Sequence, residues 1–263
     1  MTEALALFEA LGDARGMAGV AETQAILAVG HGRIRDAVDP LERAARLLED
    51  SGELFRVGMA RGQRGLLLIL LGRAEEALPD INRALELDRL FGNIEGELWA
   101  KAYHAWALVT MGRVEEAREE QEEVVAECRR LSHRSMISAA LLGLGNVYEE
   151  AGEFARAEEA FRESVETATS PLISSWAAAR LAGVLVKRGD LARADEHLRR
   201  ALAEALPMTR PEAQLVRAEL ALAREEPGAD QMAADALCAA EASGWLQTPA
   251  RARLLSRVPF GTH

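Results

Sequence analysis

Trp99, Tyr103 and Trp106 follow one another at i, i+4 and i+7, a spacing that places all three rings on one face of a helix. Such a face does recognition chemistry: it offers rigid contact area with a polar handle, suited to a peptide helix, an extended apolar segment or a stacked sugar. The same spacing serves a core between repeats, and both readings stand on the sequence alone. Bond-making chemistry finds less support. His31, His104, His133, His197 and His263 lie far apart without an HExxH pair, and Cys128 and Cys238 have no metal-ligand spacing. Glu75 and Glu76 are neighbours on one exposed helix rather than opposed across a cleft, which gives acid–base roles no geometry. No catalytic residue, cofactor or metal is expected, and the two thiols read as free and buried, as in a reducing compartment.

The chain of 263 residues is 49% hydrophobic and 28% charged, with a net charge of −11. That balance opposes attraction to nucleic-acid phosphates or anionic membranes. The longest aliphatic run, Leu66 to Leu71, is too short to cross a bilayer, and the N-terminus has no signal-like pattern. A cytoplasmic, largely helical protein is expected. Acidic residues gather at Glu149 with Glu150, at Glu225 with Glu226 and from Arg118 to Glu127. They read as solvated helix faces, with a site for a basic partner as the alternative.

The elements that carry these residues are set by a period. Gly32, Gly72, Gly112, Gly152, Gly189 and Gly228 are spaced by 40, 40, 40, 37 and 39 residues, and each is followed five residues later by alanine. A self-similarity of this length marks stacked supersecondary units. Glycine suits the end of a first helix because it tolerates the left-handed backbone that reverses the chain. Seven residues before each glycine stands Gly or Ala, as Gly65 and Gly145; nine residues after stand mostly large side chains, as Ile81 and Phe161. Gln121 breaks that last rule, so the third hairpin is expected to be the least regular.

The pattern resembles the tetratricopeptide repeat. The fourth unit carries it best: Leu144, Gly145, Tyr148, Gly152, Ala157 and Phe161 fall on the family's positions, with Ser164 in place of the final alanine. The resemblance implies an all-α, right-handed solenoid of about six antiparallel hairpins with a short C-terminal capping helix. The expected units are a half repeat at 1–17, repeats at about 18–57, 58–97, 98–137, 138–174, 175–213 and 214–247, and a cap at 248–263. The half repeat suggests a fragment or shortened relative of a longer regulator, a native N-terminal cap being the alternative. Ala4 to Glu22 is also similar to joins between repeats in large LuxR-type transcription activators, although no P-loop or DNA-binding helix-turn-helix follows. In the cap, Leu254, Leu255 and Val258 would cover the last hairpin while Arg251, Arg253 and Arg257 face water.

In this family the first helices line a concave groove. Counting back from each glycine puts Met59, Leu66, Trp99, Tyr103, Trp106, Asn146, Trp176 and Arg180 there. The resemblance thus implies a non-catalytic interaction module, the scaffold or sensor arm of a bacterial regulator, that takes a peptide or protein segment. A sugar or other small-molecule effector is the alternative ligand, and a helical-repeat enzyme a weaker one. The Lys, Asn and Arg of the family's carboxylate clamp are missing, since Glu22, Gly62, Ala102, Leu142 and Ala179 occupy those sites.

Overall fold

Glycines at intervals of 37 to 40 residues end one helix and precede its antiparallel partner in five of the hairpins. The structure, a computed structural model, describes residues 2–257. Among them are fourteen α-helices and no strand. After α1 (Thr2–Leu11) come six hairpins: α2 (Ala14–Gly30) with α3 (Arg35–Asp50), α4 (Leu54–Leu70) with α5 (Ala74–Phe91), and α6 (Ile94–Thr110) with α7 (Val114–Arg130). Then follow α8 (Arg134–Glu150) with α9 (Phe154–Thr167), α10 (Pro171–Lys187) with α11 (Leu191–Glu204), and α12 (Arg210–Ala223) with α13 (Ala229–Ser243). The last helix is α14 (Pro249–Arg257). The expected positions of Val258 and His263, and of the Arg257 side chain, lie outside the described residues.

Local chemistry explains the punctuation. Asp13 and Asn93 accept from the backbone N–H of Gly16 and Gly96 and so cap α2 and α6. At the hairpin turns Gly32, Gly72, Gly112, Gly152 and Gly189 have φ of 73° to 79°. The next residue donates its N–H to a carbonyl five positions back, as Arg33 to Ala28 and Glu153 to Tyr148, both at 2.8 Å. Gly228 departs from this scheme. It stands immediately before α13, and the left-handed residue after α12 is Glu225, at φ 54°. The EEPG turn there is longer than the others, so the sixth glycine marks the start of a second helix rather than the end of a first.

Packing follows the register of small and large residues. A Cβ on Gly65 would come within 2.7 Å of Ile81, and one on Gly145 would overlap the Phe161 ring. Each glycine is therefore the hole for the large side chain of the next helix. The six alanines that follow the ladder glycines, Ala37 to Ala233, are fully buried. Gln121 is buried as well, and its amide donates to the Ala140 carbonyl at 2.8 Å while packing on Gly143. The third hairpin keeps two 17-residue helices, because the buried amide is satisfied by the neighbouring repeat. Cys128 is buried and its thiol pushed up to about 11 by burial, whereas Cys238 is exposed, contrary to the expectation of two buried thiols.

Successive first helices touch one another, α4 to α6, α6 to α8, α8 to α10 and α10 to α12. They form the tighter, inner layer of the solenoid, with the second helices outside. Ion pairs such as Arg118–Glu153 and Arg129–Glu163 join the outer helices α7 and α9 or their turns, each worth about 0–1 kcal/mol at such exposed sites.

Candidate groove on the inner face

The inner layer places the aromatic residues, and the chain's own C-terminal segment divides them into two groups. Residues 245–248 leave α13 and run back across the first helices. Backbone N–H groups of Leu246 and Gln247 donate to the Leu70 carbonyl at the end of α4, at 3.0 and 3.2 Å. The Ile34 N–H donates to the Ser243 carbonyl at 3.1 Å, and Arg35 pairs with Glu241. The last hairpin thus meets the turns of the first two, which closes the superhelix on itself.

In the covered half, Trp245 is fully buried, its ring centroid 4.9 Å from that of Trp176, which in turn lies 5.3 Å from Trp106. The Trp245 indole N–H donates to Glu212 Oε2 at 2.8 Å. Trp176 and Arg180, expected at the groove surface, are each only 6% exposed because this strap lies over them. Arg180 pairs with Glu149 at 2.8 Å and with Glu212 at 3.4 Å. From α14, Arg253 reaches Glu149 at 3.0 Å and binds Glu219, and Lys187 stands 3.5 Å from Glu149. Arg253 therefore does not face water, and Glu149 is no solvated carboxylate: α14 packs inward on α12 instead of only covering the end of the stack. Burial raises the Glu149 carboxyl, but Arg180, Arg253 and Lys187 outweigh it and hold the group below its ordinary value. Burial pushes Glu219 up against the opposing bonds from Arg253. A residual cleft of about 190 Å³ is lined by Trp106, Trp176, Arg180 and Asn146 together with Gln247 and Thr248 of the strap. Asn146 Oδ1, buried there, has no hydrogen-bond partner among the described residues.

The other half is open. Met59, Trp99 and Tyr103 line a pocket of about 460 Å³ between α4, α5 and α6, with Phe55 at its rim and Asp88 among its walls. The Trp99 and Tyr103 rings are 5.8 Å apart and tilted by 33°. Both rings, and Trp106, also pack on the main core while remaining partly exposed. One face of α6 thus serves core and pocket together, which explains why the spacing supported either reading. Burial pushes the Tyr103 phenol well above its ordinary value. Leu66 is partly buried and lines neither pocket. Sequence reasoning missed Phe55, Asp88 and Trp245. Trp245 left a faint signal, a tryptophan directly after Gly244 where the ladder stops.

Stacked antiparallel hairpins with their first helices in an inner layer define an α-solenoid. Models of the tetratricopeptide repeat match residues 60–89 and 98–170, and the chain carries tetratricopeptide repeats. No curated protein matches the sequence. Among solved structures, a Rap protein complexed with Competence and Sporulation Factor superimposes with a TM-score of 0.69 at 15% identity, over 93% of this chain and 74% of that one. NprR in complex with its cognate peptide NprX gives 0.70 at 16%, over 93% and 70%. The apo quorum sensor NprR from B. thuringiensis gives 0.62 at 14%, over 97% and 79%. At these identities the likeness is one of fold.

Proposed function

We propose that this chain is a non-catalytic interaction module that binds a peptide or protein segment on the inner face of its solenoid, as the sensor or scaffold arm of a bacterial, cytoplasmic regulator. The observation that carries this reading is the open pocket of about 460 Å³ lined by Phe55, Met59, Trp99 and Tyr103. Met59 is 50% exposed and Phe55 46% exposed, and apolar side chains left in water beside a concave surface are what a bound segment would cover. Two of the fold neighbours are complexes, a Rap protein with Competence and Sporulation Factor and NprR with its cognate peptide NprX. A segment extended along the groove would meet Met59, Trp99 and Tyr103 first and Trp106 with Asn146 at the edge of the strap. A small-molecule effector is less well served, since the pocket is wide and continuous with the surface of α4 and α6.

Selection of a displayed heptapeptide library on the wild-type chain, repeated on Trp99→Ala, tests this. Enrichment of a consensus on the wild type and its loss on a folded Trp99→Ala supports the reading. No enrichment, or an unchanged consensus on the variant, refutes it.

A further inference from the structure

Asp88 is 6% exposed, yet no arginine, lysine or histidine pairs with it among the described residues. Its Oδ1 accepts from the Asn93 side-chain amide at 2.7 Å, which steadies the N-cap of α6. Among the described residues Oδ2 has no hydrogen-bond partner, and Asp88 forms part of the wall of the open pocket. The cations nearest in sequence are engaged elsewhere: Arg83 binds Glu86 at 2.8 Å, and Arg89 binds Glu97 at 3.0 Å. A second carboxylate, Glu95, stands at the rim. Buried charges are ordinarily paired, because desolvation of a lone carboxylate is costly. Trp99 and Tyr103 line the same pocket, together with Phe55 and Met59, and aromatic rings attract cations through their quadrupoles. Gly96 keeps the approach clear, since a Cβ there would overlap Asp88.

We propose that this pocket takes the cationic side chain of a bound segment, an arginine or lysine, with Asp88 as its counter-ion and Trp99 and Tyr103 against its stem and head. The inference rests on the peptide-binding reading and adds the chemical class of residue that the segment must carry. A charge of −11 on the whole chain draws a basic segment toward the surface, and Asp88 selects the residue that enters.

The test follows the Trp99 indole resonance of the full chain, assigned by its loss in Trp99→Phe, during titration with acetylated, amidated pentapeptides of four alanines and a central Arg, Lys, Leu or Glu. The Arg and Lys peptides are expected to bind at least about tenfold more tightly than the Leu peptide, and the Glu peptide not at all. Asp88→Asn keeps an oxygen to accept from Asn93 and should abolish the preference while leaving the Leu peptide unchanged. Equal response to all four peptides, or a preference that survives in Asp88→Asn, overturns the proposal. Butylguanidinium and pentanol, titrated in the same way, separate it from the broader reading. A response to butylguanidinium alone, lost in Asp88→Asn, upholds the cation site even where no library peptide is selected. Silence toward butylguanidinium overturns it even where peptides without basic residues bind.

Discussion

Trp245→Ala removes the side chain on which closure of the superhelix turns. Trp245 has no exposed surface, packs against Trp176 with ring centroids 4.9 Å apart and tilted by 57°, and donates its indole N–H to Glu212 at 2.8 Å. Emptying a site filled by a buried tryptophan costs about 3–5 kcal/mol. Loss of the hydrogen bond to a charged acceptor adds part of a further ~1.5–3 kcal/mol, because water entering the cavity will solvate Glu212. A net loss of about 4 kcal/mol should lower the melting temperature by roughly 8–16 °C for a chain of this size. Trp245→Phe keeps an aromatic ring against Trp176 but no donor, and should lose about 1–3 kcal/mol. Denaturant unfolding followed by circular dichroism measures both losses, and the emission of Trp106 and Trp176 should shift to the red in Trp245→Ala as the strap loosens. The reasoning fails if Trp245→Ala costs less than about 1 kcal/mol, or if the Phe and Ala variants are equally stable.

Gly12, Gly52 and Gly92 are also 40 residues apart, with φ of 65° to 74°, and Ser132 holds φ 54° one further step along. Ser132→Gly should therefore gain about 0.5–1 kcal/mol in chemical denaturation, and a loss would show that the side chain contributes more than the strain costs. Gly145→Ala should cost about 1–3 kcal/mol because its Cβ overlaps Phe161, whereas Gly19→Ala, with open space around it, should be neutral or gain up to about 1 kcal/mol. Equal effects of the two would refute the hole-filling account of the glycine register. His104 Nδ1 lies 2.6 Å from Glu120, and that hydrogen bond raises its pKa above the ordinary 6.5 despite burial. The stability it contributes is fully present below 6.5 and lost as pH rises through the raised value. The gap in melting temperature between wild type and His104→Gln should thus be larger near pH ~5.5 than near pH ~9, and a gap that is flat or grows with pH would exclude the pair.

The hairpins were legible because their determinants are local. A left-handed glycine, the alanine five residues on and the small–large register from Gly145 to Phe161 each act within one unit, so the period carries them. The sixth turn escaped because Glu225 takes the left-handed conformation without being a residue that advertises it, and Gly228 three residues later imitated the ladder. The strap escaped for a different reason. Arg253 meets Glu149 across 104 positions of sequence, and that meeting depends on the summed rotation of several repeats, which no single unit encodes. Trp99, Tyr103, Trp106 and Trp176 were placed on the inner layer by counting from the glycines. Which of them the chain itself would cover depended on the same long-range closure.

The two halves of the groove differ in how their charges are settled, and this difference separates a finished interior from a receiving surface. Under the strap, Glu149, Glu212 and Glu219 face Arg180, Lys187 and Arg253, three carboxylates against three cations. Removing one member of such a buried set costs about 3–5 kcal/mol, because an uncompensated charge remains. Arg253→Met should accordingly destabilise the chain and leave Glu219 and Glu149 to titrate at higher pH. At the open end Asp88 has, among the described residues, only the Asn93 amide, so the same physics leaves its charge without a counter-ion. Among the described residues the charges under the strap are matched, whereas in the open pocket Asp88 keeps the attraction that the proposed cationic segment would satisfy.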